Sequence, residues 1–357
     1  MTLEGGRTMA EGDRLIGVDA LTRVVADILA AYAMPADDAR FCAECLIEAD
    51  LRGVSSHGIA RLPTYARRLR EGVLNPAPRL AVTERMPVAA HVDGDNGIGY
   101  VVGRRAMDLA IEKAQMFGVG LAAASRSNHY GMSSLYVHRA LQAGLASFVF
   151  TNAAPTMPVW GGRDPVLGTN PLAMGAPGPT PFVLDMATSV AAKGKVRRAL
   201  ARGETIPEGW ALDGEGRPTT DPAEALKGVV LPMAGPKGSG IAVMIDVFAG
   251  VMSGAAFGDL VVNQNDDFTR GQDVGHFFMA MRPDLFVARD AYDARAGQYR
   301  DRIKGGRKAA GFEEILLPGE PESRRAERCR REGLPLSANE IASIEAEAGK
   351  AGVAGIG

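Results

Sequence analysis

The periodicity of the chain changes at Asn75-Pro76-Ala77-Pro78, and this restricts the architecture more than any other feature. Upstream, apolar residues recur at helical spacing: Leu21, Val24, Val25, Ile28 and Leu29 within 19–32, then Phe41, Cys45, Leu46 and Leu51 within 36–52, with a third helix predicted over 59–69. Downstream, strands are predicted at 80–83, 88–92, 121–124, 145–151, 181–184, 275–280 and 315–317. Helices at 100–117, 133–143, 193–202, 241–253 and 290–304 separate them, and two highly charged helices finish the chain. The pattern is that of a mixed α/β protein, and 357 residues leave room for about two or three units, interleaved or sequential.

A net charge of -2 gives no basic footprint for nucleic acid or an anionic membrane surface, so any anionic ligand must be met by local basic residues. No apolar run reaches the length of a membrane span, and residues 1–14 lack the apolar centre of a signal peptide and read as a flexible lead-in. Cys42, Cys45 and Cys329 cannot build a disulfide framework and fit a reducing compartment, the cytoplasm. Cys42 and Cys45 form a CxxC inside a helix with no second pair and no nearby histidine, so no metal is expected.

Chemistry-bearing residues fall into islands. Val54-Ser55-Ser56-His57-Gly58-Ile59-Ala60-Arg61 joins two predicted helices; a serine cap would put His57 in the first turn of the second and Arg61 one turn on, both on one face. That geometry suits a proton donor beside a carboxylate clamp. Ser127-Asn128-His129-Tyr130-Gly131 sets His129 in a loop at a strand end, whereas His91, His138 and His276 read as structural. The tract from Asn152 to Pro171 is rich in proline and glycine, a rigid path in which Thr169 and Asn170 offer neutral hydrogen bonds. Asp185 ends an apolar strand and needs a partner there, either His57 or a cofactor hydroxyl. Residues 204–222 read as an excursion with a small hairpin. Gly235-Pro236-Lys237-Gly238 then opens a helix as a phosphate cradle would, although it is not a P-loop. That helix is apolar nearly all round, which implies burial in a core or against another subunit, with Asp246 an oddity within it.

Gly97-Ile98-Gly99-Tyr100-Val101-Val102-Gly103 imitates a dinucleotide fingerprint between a strand and a helix. Its spacing has one residue too many, and the next strand ends in Ser125-Arg126-Ser127 with no acidic residue for a ribose; Arg126 would suit an NADP version of the motif.

Taken in order, Ser55-Ser56-His57-Gly58 with Arg61, Asn128-His129-Tyr130-Gly131, Gly168-Thr169-Asn170-Pro171, Leu184-Asp185-Met186-Ala187, Pro236-Lys237-Gly238 and Pro318-Gly319-Glu320 resemble the malate/L-lactate dehydrogenase family. That family also holds ureidoglycolate dehydrogenase, L-sulfolactate dehydrogenase, diketogulonate reductase and piperideine-2-carboxylate reductase. The resemblance implies an α+β, L-sulfolactate dehydrogenase-like, non-Rossmann fold: a mainly antiparallel cofactor domain (86–285) inserted in a helical domain (1–85 joined by 286–357). It implies a homodimer with its active site near the subunit interface, and makes the Gly97 motif a decoy. The implied activity is NAD- or NADP-dependent hydride transfer to or from the alpha carbon of a 2-oxo or 2-hydroxy acid. The alternatives are an imino-acid reductase of the piperideine-2-carboxylate type and a non-catalytic nucleotide-binding relative. By the same likeness His57 is the proton donor with Ser56 and Asp185 as its relay, His129 is an acid/base, and Arg61 holds the substrate carboxylate. Cofactor contacts fall on Pro181, Phe182, Val183, Leu184, Asp185, Met186 and Ala187, on Lys237 and Gly238, and on Gly319 and Glu320.

Overall fold

The computed structural model describes residues 12–357. Most of the expected flexible lead-in, residues 1–11, lies outside the described residues; its end enters strand β1 (Arg14–Ile16), which pairs with β12 (Leu334–Leu336), a strand the sequence did not disclose. Three helices follow β1: α1 (Val18–Ala31), α2 (Ala36–Leu51) and α3 (Leu62–Arg70). Their apolar stripes, among them Leu21, Ile28, Leu46 and Leu62, enclose one core together with Ala326, Cys329, Leu336, Ile344 and Ala348 from the other end of the chain. Those late residues lie on α10 (Glu320–Glu332), β12 and α11 (Ala338–Ala351).

The middle of the chain builds a sheet of seven strands in the order β2-β3-β4-β11-β5-β6-β7. These are β2 (Ala81–Met86), β3 (Ala89–Asp93), β4 (Val119–Ser127), β5 (Ala146–Thr151), β6 (Leu172–Ala176), β7 (Phe182–Met186) and β11 (Val274–Met281). All neighbours are antiparallel except β3 and β4, which α4 (Gly99–Phe117) joins as a crossover. Period-two alternation sorts the faces. Phe278 and Ala280 of β11 pack with Ala122, Val149, α4 and α5 (Ser134–Gln142). Phe277 and Phe150 point the other way, onto Phe248. Phe248 belongs to a π turn (Val247–Val251) that continues α8 (Pro236–Asp246), so the expected 241–253 helix begins earlier and is not α-helical throughout. Asp246 at this junction accepts Asn152 Nδ2 at 2.9 Å and the Gly258 amide at 2.8 Å, which accounts for a carboxylate on an apolar helix.

A third cluster, including Met157, Leu167, Val196, Ile206 and Val230, is formed by the loop tract and the excursion. It contains α6 (Lys193–Arg202), the hairpin β8 (Ala211–Leu212) and β9 (Pro218–Thr219), α7 (Pro222–Lys227) and β10 (Val229–Val230). The last sheet-side element is α9 (Arg289–Lys304). It meets strand-side residues, Tyr292 bonding the Pro177 carbonyl at 2.9 Å and Tyr299 lying against Phe182, although the sequence reading grouped 286–357 with the helices. The expected strand at 315–317 is irregular chain, because it runs into the Pro318-Gly319 turn.

Candidate active site

The expected helix over 59–69 starts only at Leu62. Residues Ser55–His57 and Ile59–Arg61 form two short 3-10 turns separated at Gly58, and neither serine caps a helix. The cause is Asp50 of α2. Its buried carboxylate accepts the Ile59 amide at 2.6 Å and fills the space a Cβ at Gly58 would need, with its atoms 2.2 Å from that position. A hydrogen bond that an α-helix would make locally is thus taken by a side chain nine residues upstream. Burial pushes the Asp50 carboxyl up to about 7, against the stabilising bond from Ile59.

This loop holds His57 half-buried, its Nδ1 2.9 Å from Ser56 Oγ. The ring stacks on His129 with centroids 5.3 Å apart and planes 18° from parallel, so the two histidine islands meet. Arg61 donates Nε to the Ser56 carbonyl at 2.7 Å, its one hydrogen bond among the described residues, and an open guanidinium edge of this kind is able to bind a carboxylate. Desolvation and the Arg61 charge lower His57 to about 4, and desolvation, Arg61 and His57 hold His129 well below the usual imidazole range.

His129 is fixed more tightly than the sequence suggested. Tyr65, buried on α3 and not singled out beforehand, places its hydroxyl 2.5 Å from His129 Nδ1, and the Gly131 amide approaches the same nitrogen at 3.4 Å. An amide can only donate, so Nδ1 carries the lone pair, Tyr65 donates to it, and the neutral ring keeps its proton on Nε2. Position eight after His57, on the face of a helix otherwise buried, was the available signal. Gln272, also missed, accepts the His129 amide at 3.0 Å and donates its own amide to Asn128 Oδ1 at 3.0 Å. His276 is structural as read: it is fully buried between Thr151 Oγ1 (2.7 Å) and Ser127 Oγ (2.8 Å), stacked on Tyr130.

Three sequence expectations are revised. Among the described residues Asp185 makes no hydrogen bond to His57; its carboxylate accepts the Ser134 amide at 2.7 Å at the start of α5, a helix whose own N-cap side chain makes no such bond. Ser56 alone of the expected relay pairs with His57. Asn170 is fully buried, its Oδ1 accepting from Ala153 at 3.1 Å and its Nδ2 donating to Ala242 at 3.0 Å, so it clasps loops and does not face a substrate. Glu320 spends its carboxylate on Lys304 Nζ and the Leu317 amide, all at 2.9 Å, and on Arg324. It ties down a turn, leaving no oxygen for a ribose. Thr169 stays half-buried, its carbonyl accepting from the Thr188 amide at 2.9 Å.

The other stretches expected to contact a cofactor are joined through backbone bonds. Val183 donates to the Pro318 carbonyl at 3.1 Å, beside Gly319, and Met233 donates to the Thr188 carbonyl at 2.9 Å, one turn before Lys237. Lys237 is exposed at the start of α8, where first-turn amides have no intrahelical acceptor, and Gly238 is packed against the Met233 carbonyl. Ser189, just beyond β7, and Thr156 have buried hydroxyls without a partner in the same bundle of loops. An exposed lysine, free amides and idle hydroxyls fit a dinucleotide with its diphosphate. The Gly97 motif does not: the site of a Cβ on Gly99 is 2.0 Å from the Asn128 carbonyl oxygen, so its glycines serve close packing within the chain. Arg126 is tied to Asp93 and Asp95. Among the described residues no group of three potential metal ligands exists, and no helix is long and apolar enough to cross a membrane.

Residues 16–345 match the description malate/L-lactate dehydrogenase. L-sulfolactate dehydrogenase of Methanocaldococcus jannaschii is 39% identical over 321 residues, which cover 89% of this chain and 91% of that protein. Ureidoglycolate dehydrogenase (NAD(+)) of Escherichia coli strain K12 is 34% identical over 323 residues, 90% and 92% of the two chains. The solved structure of the M. jannaschii sulfolactate dehydrogenase superposes with a TM-score of 0.90 at 36% identity, covering 96% of this chain and 98% of that one.

Proposed function

The chain belongs to the malate/L-lactate dehydrogenase family, and on that premise we propose that it oxidises a small 2-hydroxy acid to the 2-oxo acid, and runs the reverse reduction, with NAD or NADP. The observation that carries this reading is the stack of His57 on His129 beside the open edge of Arg61. Pro181, Phe182, Val183, Leu184, Met186 and Ala187 would hold a nicotinamide cofactor, with Lys237 to meet its diphosphate, and the group would supply the hydride acceptor or donor. Arg61 clamps the substrate carboxylate through two parallel N–H donors. His57, neutral in the free enzyme, takes the hydroxyl proton as hydride departs, and Ser56 at 2.9 Å orients its ring. His129 donates Nε2–H to the same substrate oxygen and stabilises the charge that grows there. In the reductive direction the substrate carboxylate offsets the Arg61 charge, raises the affinity of His57 for a proton and equips it as the acid. Asp185 remains exposed after bonding Ser134, with acceptor capacity for a cofactor hydroxyl.

Nicotinamide absorbance, followed with malate, lactate, sulfolactate and ureidoglycolate against NAD and NADP in turn, tests the reading. Turnover with at least one 2-hydroxy acid is the expected result. Inertness toward this panel, with oxidation or reduction confined to a cyclic imino acid, would refute it.

We also propose a homodimer. Ile241, Met244, Val251, Met252, Phe257 and Leu260 are exposed along α8 and the chain after it, Met252 to 62%. An apolar band of this kind on one face marks an association surface. Sedimentation at micromolar concentration is expected to give twice the mass of one chain, and Met252→Lys with Leu260→Lys to give the monomer; a wild-type monomer would dismiss the idea.

A further inference from the structure

The first turn of α3 brings Tyr65 to the ring of His129; one turn later the same face carries Arg68, a residue 1% exposed whose guanidinium reaches a loop some 200 residues away. Arg68 Nη1 donates to the carbonyls of Asp267 (2.6 Å) and Gln264 (3.4 Å), and Nη2 to that of Arg270 (2.9 Å). Its Nε is buried without a partner. The neighbouring Asp267 carboxylate is taken by Thr269 and Arg270. Beside it, the Arg67 guanidinium covers the Phe268 ring at 3.6 Å.

A guanidinium buried against carbonyls and one idle nitrogen is a poor source of stability, because desolvation offsets much of what its bonds return. Its fork does gather three carbonyls within a seven-residue span into one arrangement, which a single apolar side chain cannot do. The loop so gathered closes at its neck through Gln272: the Val262 amide donates to the Gln272 carbonyl at 3.2 Å, and Gln272 Nε2 donates to the Val262 carbonyl at 3.0 Å. The same Gln272 side chain accepts the His129 amide. His129 is therefore held twice from α3, its ring directly by Tyr65 and its backbone through the 262–272 loop.

We propose that Arg68 is a positioning residue for the reaction, setting His129 against His57 through the 262–272 loop and Gln272. This rests on the functional reading above, in which His129 polarises the substrate oxygen. A misplacement of about 1 Å at a reacting group costs on the order of a hundredfold in rate, so loosening the loop shows in turnover.

Arg68→Met and Arg68→Lys are compared with the full-length enzyme by steady-state kinetics and by amide hydrogen exchange. For Arg68→Met, exchange across 262–272 and at the His129 amide is expected to speed up by about tenfold or more, and kcat to fall about ten- to a hundredfold, with the cofactor KM within about twofold. Arg68→Lys is expected to recover part of the kcat loss. Gln272→Leu, which leaves Arg68 in place, is expected to reproduce the kcat loss, and the double variant to be no worse than either single one. Should Arg68→Met fail to fold, the lysine and leucine variants decide alone. Faster loop exchange with unchanged kcat, or additive losses in the double variant, would overturn the proposal. If His129→Ala itself leaves kcat unaltered, the functional reading fails instead, and the exchange data still report whether Arg68 holds the loop.

Discussion

Replacing His57 by alanine is expected to lower kcat for 2-hydroxy acid oxidation by about a hundredfold or more, equivalent to about 2.7 kcal/mol or more of lost transition-state stabilisation. Cofactor affinity, read by quenching or enhancement of nicotinamide fluorescence, is expected to stay within about twofold, since the stretches assigned to the cofactor are on the sheet side. The expectation follows from contrast between the two stacked rings. On His129 the Tyr65 hydroxyl and the Gly131 amide both address Nδ1, so its tautomer is fixed and it can donate but not readily accept at Nε2. On His57 the one hydrogen-bond partner of the ring among the described residues is a serine hydroxyl, which accepts or donates with equal ease, so Nδ1 can hold a proton while Nε2 takes one up. The ring free to change its proton count is the one suited to acid/base work. His129→Ala is expected to cost turnover as well, but adding an external imidazole should restore His57→Ala more than His129→Ala, because only the former lacks a proton carrier. A His57→Ala enzyme with wild-type kcat would end the assignment.

The helices and strands were legible where one face is apolar: α6 was placed to the residue, and most strands within one to three positions, because burial on one side imposes the period directly. The mainly antiparallel, non-Rossmann sheet was carried by the family resemblance and not by periodicity. Three failures are set by particular hydrogen-bond partners, while β6 (Leu172–Ala176) was not read as a strand at all. The 3-10 turns at His57 arise from Asp50 reaching across to Ile59, the irregular chain at 315–317 from the Glu320 turn, and the β1–β12 pair from residues 320 positions apart. The Asp50 and β1–β12 partners lie nine and about 320 residues away, where local spacing carries no trace of them, whereas the Glu320 carboxylate sits three residues on and closes a tight turn. The site shows the same division. Residues whose type announces chemistry, His57, His129 and Arg61, were found and do meet; Tyr65 and Gln272, which hold one of them, look like an ordinary core tyrosine and a loop amide. Asn170 and Glu320 were drawn into the site by motif membership, yet their side chains are spent on Ala153, Ala242, Lys304 and Leu317.

Arg61→Met is expected to act on two observables with one cause. Loss of the paired guanidinium donors removes a charge-assisted contact to the substrate carboxylate, worth about 2–5 kcal/mol when one partner is truncated, so KM for the 2-hydroxy acid should rise about thirtyfold or more. The second effect concerns protons. After desolvation, the Arg61 charge is the next cause that lowers both His57, to about 4, and His129. Oxidation requires neutral His57, so kcat/KM in the free wild-type enzyme should hold as pH falls and decline only near pH 4. Removing the positive neighbour lets the imidazole keep its proton to higher pH, so the acidic limb must move up, toward the ordinary histidine value of about 6.5. Arg61→Lys keeps the charge without the planar fork; it should leave the limb near its wild-type position while KM still rises. An acidic limb that stays put in Arg61→Met, with KM raised, would mean that Arg61 binds substrate but the titrating base lies elsewhere. A limb that moves without a change in KM would place the carboxylate on another cation.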